Sequence, residues 1–175
     1  MDLKIFSYKN VSSTNEIAIQ KIRKGINKGI IKSDLQKNGR GRYGRKWISN
    51  KGNLFTSIFY CLNRKIDHHE LLRSNCVNVK KILKKKIKKP INIKYPNDLL
   101  VNGEKICGIL QEIINYRDKK FIIVGIGINI VTSPNIFNYK TTYVNKHLDK
   151  NTNKGEIFRI LKNTFKKILI NSPCI

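Results

Sequence analysis

The sequence predicts a single α+β domain, a mixed and largely antiparallel central sheet with helices packed on it. Three observations carry this reading. Asn102-Gly103 is a two-residue hairpin turn between the apolar run Leu99 to Val101 and the strand-like run Lys105 to Ile114. Asn53 to Leu62 and Lys119 to Val131 are apolar runs of strand length, rich in β-branched and aromatic residues. Asp67 to about Lys86 and Asn153 to Ile170 repeat apolar side chains at helical spacing.

In chain order, Leu3 to Tyr8 alternates as a short strand. Ser12-Ser13-Thr14-Asn15-Glu16 offers N-cap residues, with Glu16 three positions after Ser13 as in a capping box. Ile17, Ala18, Ile22 and Ile26 then share a helical face that ends near Gly25 or Gly29. Ile30 to Leu35 and Asn53 to Leu62 are strands flanking a glycine-arginine loop. The helix after Asp67 carries Leu71, Leu72, Val79 and Leu83 on one side. Past Pro90, Ile91 to Tyr95 alternates, and Asn115 to Asp118 joins the last two strands before the closing helix. No internal repeat, low-complexity linker or second domain is visible, and residues 1–175 read as one domain.

A net charge of +25 invites a polyanion-binding reading. Yet 28 of the 36 cations are lysines, scattered among isoleucines and asparagines, and those three residue types share A/T-rich codons. Biased composition is therefore the first reading of the charge and nucleic-acid binding the competing one. The four cysteines at 61, 76, 107 and 174 form no C-x-x-C pair, and His68, His69 and His147 lack zinc-ligand spacing. That pattern fits a reducing cytoplasm. The N-terminus has no signal-peptide core, and no apolar run reaches membrane-helix length.

The most informative stretch is Gly39-Arg40-Gly41-Arg42-Tyr43-Gly44-Arg45-Lys46-Trp47, with three glycines, four cations and the one tryptophan. Glycines permit close backbone approach, and guanidinium forks match carboxylate and phosphate oxygens. An adjoining indole offers a stacking surface, so the stretch describes a pocket for an anionic ligand bearing an aromatic base. It formally satisfies G-x-G-x-x-G, but Lys46 to Asn53 lacks the helical stripe that a dinucleotide fold requires, and that reading is rejected. A solvated basic loop is the plain alternative.

Three further segments stand out. Tyr95-Pro96-Asn97-Asp98 is a turn that either simply reverses the chain or presents Asp98 to a magnesium ion. In Lys105 to Glu112, strict alternation places Lys105, Cys107, Ile109 and Gln111 on one face, and Ile106, Gly108 and Leu110 on the other. Gly125 and Gly127, ahead of Asn129, mark either a buried central strand or one with a ligand lying across it.

In this order and spacing, these motifs resemble the catalytic domain of biotin protein ligases over about residues 5 to 170. Ser13-Thr14-Asn15 and Gln36 match that family too. The resemblance implies a fold like that of class II aminoacyl-tRNA synthetases and biotin ligases. It implies ATP-dependent biotinylation of an acceptor lysine through biotinyl-5'-AMP, with ATP, Mg²⁺ and biotin bound. Ser13, Thr14, Asn15, Gln36, Arg40, Gly41, Arg42, Lys105 and Gly108 would form the biotin site. Arg42, Trp47, Asn97, Asp98 and Asn129 would take the nucleotide, Asp98 its magnesium, and Lys105, Arg42 and Arg40 the catalytic charge.

The implied partner is the biotin carboxyl-carrier domain of acetyl-CoA carboxylase or of another biotin-dependent carboxylase. Tyr95 stands where the family usually has tryptophan. The reading expects neither a winged helix-turn-helix ahead of Leu3 nor a small β-barrel after the last helix, and it expects no specific DNA binding. Lipoate or octanoate transfer, within the same superfamily, and a basic nucleic-acid-binding module are the competing functions.

Overall fold

The computed structural model describes residues 3–62, 67–137 and 139–170; Cys174 lies outside them. In chain order come β1 (Ile5–Val11), α1 (Thr14–Arg23), β2 (Lys28–Gln36), β3 (Leu54–Leu62) and α2 (His68–Lys84). They are followed by β4 (Ile91–Lys94), β5 (Asp98–Val101), β6 (Glu104–Tyr116), β7 (Lys119–Ile128) and α3 (Lys154–Ile170). The strands form a seven-stranded sheet in the order β1-β2-β3-β7-β6-β5-β4. β1 and β2 are parallel, joined by α1, and the remaining pairings are antiparallel. The fold is α+β.

Period-two side-chain alternation sends β3 and β7 into two cores. Phe59, Phe121 and Ile123 pack with Ala18 and Ile22 of α1 on one face. Ile58, Tyr60, Val124 and Ile126 pack with Val79 and Leu83 of α2 and Leu161 and Phe165 of α3 on the other. Both faces of β3 are covered, which is why its sequence reads as a continuous apolar run.

Two local expectations are revised. Ser13 occupies the N-cap of α1, but no side-chain capping bond forms there. Gln36 at the end of β2 takes over that role, its Oε1 accepting from the Thr14 N–H at 2.8 Å. The capping box fails because these polar side chains are turned into the site described below. The helix α2, by contrast, has its own cap: Asp67 Oδ1 accepts from the His69 and Glu70 N–H groups at 2.8 Å each. Those backbone bonds hold the exposed Asp67 carboxyl below its usual value.

β7 ends at Ile128 rather than Val131 because Asn53 captures the following backbone. Its Oδ1 accepts from the N–H groups of Ile130, Val131 and Thr132 at 2.8, 3.1 and 3.4 Å, and its Nδ2 donates to Thr132 O at 2.8 Å. Asn53 is fully buried. Asn53→Ala is expected to cost about 2–3 kcal/mol, since it orphans several buried backbone groups. Urea unfolding checks this, and a midpoint unchanged from wild type would remove Asn53 as the organiser of the segment.

Candidate active site

The registers of β3, β7 and β6 lay side chains in rows across the face that α1 only partly covers. Ser57, Gly125 and Leu110 are paired in one row; Phe55, Gly127 and Gly108 form the next. Where α1 lies on the sheet the row is bulky, with Phe59, Ile123 and Glu112. Beyond the helix the side chains shrink to glycine and a cleft of about 840 Å³ opens.

Each glycine on this floor is met by a protein side chain. A Cβ at Gly125 would lie 2.3 Å from Asn15 Oδ1, and one at Gly127 would lie 2.4 Å from the Trp47 ring. A Cβ at Gly108 would meet the same indole at 2.6 Å. The sequence reading of a ligand directly across Gly125 and Gly127 is therefore amended. Asn15 and Trp47 lie against the strand and form part of the cleft wall.

Asn15 anchors a polar chain at one end of the cleft. Its Oδ1 accepts from Ser57 Oγ at 2.5 Å, while its Nδ2 donates to Glu112 Oε2 at 2.6 Å and to Leu110 O at 3.4 Å. Ser57 Oγ also lies 2.7 Å from Thr14 Oγ1, and Thr14 Oγ1 is 3.1 Å from Gln36 Oε1. Gln36 Nε2 donates to Ser49 Oγ at 3.1 Å. Ser13, Thr14 and Asn15 are nearly inaccessible, and the Thr14 and Asn15 side chains are tied to partners from other elements.

The glycine-arginine loop is a small hairpin over the cleft. Trp47 N–H donates to Gly39 O at 2.8 Å and Gly41 N–H donates to Arg45 O at 2.6 Å. A side chain on Gly39 would come within 2.4 Å of Trp47 O, so glycine there serves the hairpin itself. Tyr43 and Gly44 turn the chain with φ of 55° and 72°. Arg40 reaches Glu112, its Nη2 lying 3.0 and 2.8 Å from the two carboxylate oxygens. Arg42 stacks on exposed Tyr43, its guanidinium 4.8 Å from the ring centroid.

At the other end stands Lys105. Strict alternation put it on the face opposite Gly108, but the register between β5 and β6 shifts so that Ile106 has no counterpart. Such a bulge re-aims the residues beyond it. Lys105 therefore shares the cleft face with Gly108, whose Cβ position lies 3.4 Å from Lys105 Nζ. Nζ pairs with Asp98 Oδ1 at 2.8 Å and sits 5.3 Å from the Trp47 ring centroid and 5.5 Å from that of Tyr139. Tyr139 donates to Asp98 Oδ2 at 2.9 Å. Burial, and then the Asp98 carboxylate, push the Tyr139 phenol well above its usual value.

Asp98 Oδ2 is therefore hydrogen-bonded, while its buried Oδ1 meets Lys105 as an ion pair but has no hydrogen-bond partner. No group of three or more His, Cys, Asp and Glu able to hold a metal occurs among the described residues. A lone carboxylate suits a magnesium ion held chiefly by substrate phosphates, and Asp98, the partner of Lys105, is the one carboxylate lining the cleft. Asn97 Nδ2 donates to Ile109 O at 3.0 Å, which ties this cleft-lining side chain to β6. Asn129 Nδ2 donates to Thr142 O at 3.1 Å, while its buried Oδ1, like Trp47 Nε1, has no hydrogen-bond partner.

The structure brings Ser13, Thr14, Asn15, Gln36, Arg40, Gly41, Arg42, Trp47, Asn97, Asp98, Lys105, Gly108 and Asn129 to the lining of one cleft. Its six cations face a single carboxylate, and no histidine or cysteine lines it. Burial raises the Cys76 thiol to about 11 and pushes Cys107 well up, so neither is a nucleophile. Sequence reasoning assigned no role to Ser57, Glu112 or Tyr139. A polar Ser57 inside an apolar strand was a usable signal; nothing marked Tyr139, which reaches Asp98 from the segment after β7.

Residues 8–129 match the biotin/lipoate A/B protein ligase family. The chain belongs to this family. It is 33% identical over 131 residues to the bifunctional ligase/repressor BirA of Bacillus subtilis, covering 73% of this chain and 40% of that protein. With biotin–protein ligase 2 of Arabidopsis thaliana it shares 35% identity over 127 residues, 69% of this chain and 38% of the relative. It therefore spans about two-fifths of the length of these ligase-family relatives.

Among solved structures, the biotin protein ligase of Aquifex aeolicus in complex with biotin and ATP superposes with a TM-score of 0.77. That match has 28% identity and covers 95% of this chain and 70% of the other. The Leishmania major biotin protein ligase bound to biotin gives 0.82 at 22% identity, over 96% and 75% of the two chains, and establishes the shared fold. No helix among the described residues of this ligase-family chain is long and apolar enough to cross a membrane.

Proposed function

We propose that this chain is a catalytic domain that attaches biotin to a lysine of an acceptor protein in two ATP-driven steps. The observation that carries the proposal is the cleft's lining. A saturated polar pocket at Thr14, Asn15 and Gln36 leads to Lys105 beneath an arginine hairpin, with no nucleophile-base pair anywhere along it. Such a site suits direct attack of one bound substrate on another, where positioning and charge stabilisation supply the rate. The Aquifex aeolicus relative, solved with biotin and ATP, supports the ligand assignment.

In the first step a carboxylate oxygen of biotin attacks the α-phosphorus of ATP. The bond to the bridging oxygen breaks, giving biotinyl-AMP and pyrophosphate. Lys105 stabilises the charge that gathers on the carboxylate and α-phosphate. Asp98 and Tyr139 hold its ammonium in place. In the second step an acceptor-lysine amine attacks the acyl carbon, and AMP leaves with the bonding pair as the amine loses its proton.

Within the proposal, Ser13, Thr14, Asn15 and Gln36 receive the head of biotin, Gly41 belongs to the hairpin beside it, and Gly108 seats Trp47 and Lys105 against the floor. Trp47, Asn97 and the unpaired Asn129 Oδ1 belong to the nucleotide side. Asp98 would help to hold a magnesium ion, which would offset charge on the nucleotide phosphates. The acceptor is the biotin carboxyl-carrier domain of a biotin-dependent carboxylase. The free thiols of Cys76 and Cys107 accord with a cytoplasmic setting.

Exchange of labelled pyrophosphate into ATP tests the reading, with biotin, lipoate and octanoate run in parallel. Exchange with biotin alone is expected. Exchange with lipoate instead would move the chain to the lipoate branch of its family, and exchange with no acid would refute the adenylation step. Arg42 stacks on and donates to solvent-exposed Tyr43, a surface contact it can exchange for the phosphate. Arg42→Gly is therefore expected to release biotinyl-AMP into solution several-fold faster, measured as adenylate in an ultrafiltrate. Equal release from both proteins would remove Arg42 from the role of retaining the intermediate.

A further inference from the structure

We infer that Glu112 is a positioning residue that couples the ligand at the Asn15 end of the cleft to the seating of the arginine hairpin. The inference builds on the reading that this end takes biotin. Glu112 stands on β6 between the two elements and bonds to both. One carboxylate holds Arg40 of the hairpin at 2.8 and 3.0 Å and Asn15 of α1 at 2.6 Å. These partners lie 72 and 97 residues away in sequence, and no other described side chain bonds to both of them.

The hydrogen count makes the coupling directional. Asn15 Nδ2 has two hydrogens, and they are committed to Glu112 Oε2 and Leu110 O. Its Oδ1 is committed to Ser57 Oγ. A ligand that accepts a hydrogen bond from Asn15 must draw that hydrogen from one of its present partners. When it comes from Glu112, the carboxylate loses a neutral donor and leans more heavily on its remaining cation, Arg40. The hairpin is then held more firmly over the ligand. By reciprocity, a seated hairpin favours the ligand at Asn15 to the same degree.

The strengths suit a device that must open again. The Arg40 and Glu112 side chains are 43% and 28% exposed, so their pairing is worth less than a buried one and exchanges readily. Asn15 is almost fully buried and keeps its orientation while the hairpin moves.

Limited trypsin digestion of the full chain reads this directly, because Arg40, Arg42, Arg45 and Lys46 place cleavage sites throughout the hairpin. Without ligand, Glu112→Gln is expected to raise cleavage between residues 40 and 46 roughly two- to fivefold, the factor appropriate to a half-exposed ion pair. Adding biotin is expected to slow cleavage of the wild type and to have little effect on the variant. The Arg40→Glu/Glu112→Arg double variant restores the ion pair but faces Asn15 with a donor. It should regain protection of the hairpin without regaining its dependence on biotin.

Glu112→Asp keeps the charge with a shorter reach; it should fall between wild type and Glu112→Gln, and serves as the readout where the latter does not fold. A purely structural role would lower the melting temperature and raise cleavage across the whole chain, overturning the inference. Equal biotin protection of wild type and Glu112→Gln would overturn the coupling while leaving biotin binding intact. Absence of biotin protection in the wild type itself would overturn the biotin reading and the coupling together.

Discussion

Lys105→Ala is expected to lower biotin-dependent pyrophosphate exchange by roughly 10²–10³-fold, the cost of removing one well-placed group that stabilises developing charge. The side chain is 20% exposed and pairs with Asp98 at 2.8 Å, so the ammonium is held before any substrate arrives. Two aromatic rings, Trp47 and Tyr139, stand about equally far from it and limit where it can move. Loss of the amine leaves Asp98 with Tyr139 as its remaining bonded partner. That uncompensated and largely buried carboxylate should cost about 1–3 kcal/mol.

The fold should survive that loss, because Lys105 belongs to neither core cluster. Activity and stability therefore separate in this variant. Exchange is measured at saturating biotin and ATP, alongside a thermal melt. A folded variant with wild-type exchange would show that the charge on the α-phosphate is met by another group, with Arg42 the next to test.

Gly125→Ala should have the second-largest effect, and by a different route. The added methyl would lie 2.3 Å from Asn15 Oδ1 and 3.0 Å from its Cγ. Asn15 has nowhere to retreat, because Ser57, Leu110 and Glu112 hold it on three sides. Either the side chain abandons those bonds or α1 lifts from the sheet. The expected result is a loss of about 1–3 kcal/mol in stability, typical of overpacking, and at least about tenfold weaker biotin binding.

Gly103→Ala provides the control. Nothing lies within 4 Å of its Cβ position, and its φ of 78° is the source of strain. It should lose stability of about 1–2 kcal/mol without any change in biotin affinity. Isothermal titration with biotin and thermal melts distinguish the two variants. If Gly125→Ala kept wild-type affinity, Asn15 would not be a ligand-binding residue.

Much of the architecture was legible because it is written in short-range patterns. The Asn102-Gly103 turn adopts φ of 51° and 78°, as its composition demanded. Strands β3 and β7 announced themselves by apolar runs, since burial on both faces admits little else. Helices α2 and α3 followed their apolar spacing, with Asp67 in place to cap the former. The glycine-arginine loop marked the place of the cleft, whose lining takes in Arg40, Arg42, Arg45 and Lys46.

The failures are equally specific. A capping box was expected at Ser13 because local spacing matched one, yet Gln36, brought in by β2, supplies the bond instead. Lys105 was placed on the wrong side of β6 because alternation counts residues and cannot register a bulge at Ile106. The partners of Asp98 were likewise beyond reach, since Lys105 and Tyr139 come to its carboxylate from separate segments.

By itself, then, the sequence determined the kinds of element, their order, and the chemical character of the cleft, since each follows from side-chain type within a few residues. Only the tertiary structure decided which groups face one another. The strand registers align Ser57, Gly125 and Leu110 into a floor, and one bulge turns Lys105 toward Gly108. The sheet brings Glu112 within reach of Asn15 and Arg40 across long stretches of chain. Hydrogen bonds and ion pairs act over about 3 Å, and contacts that short between distant residues exist only once the sheet has fixed its pairing.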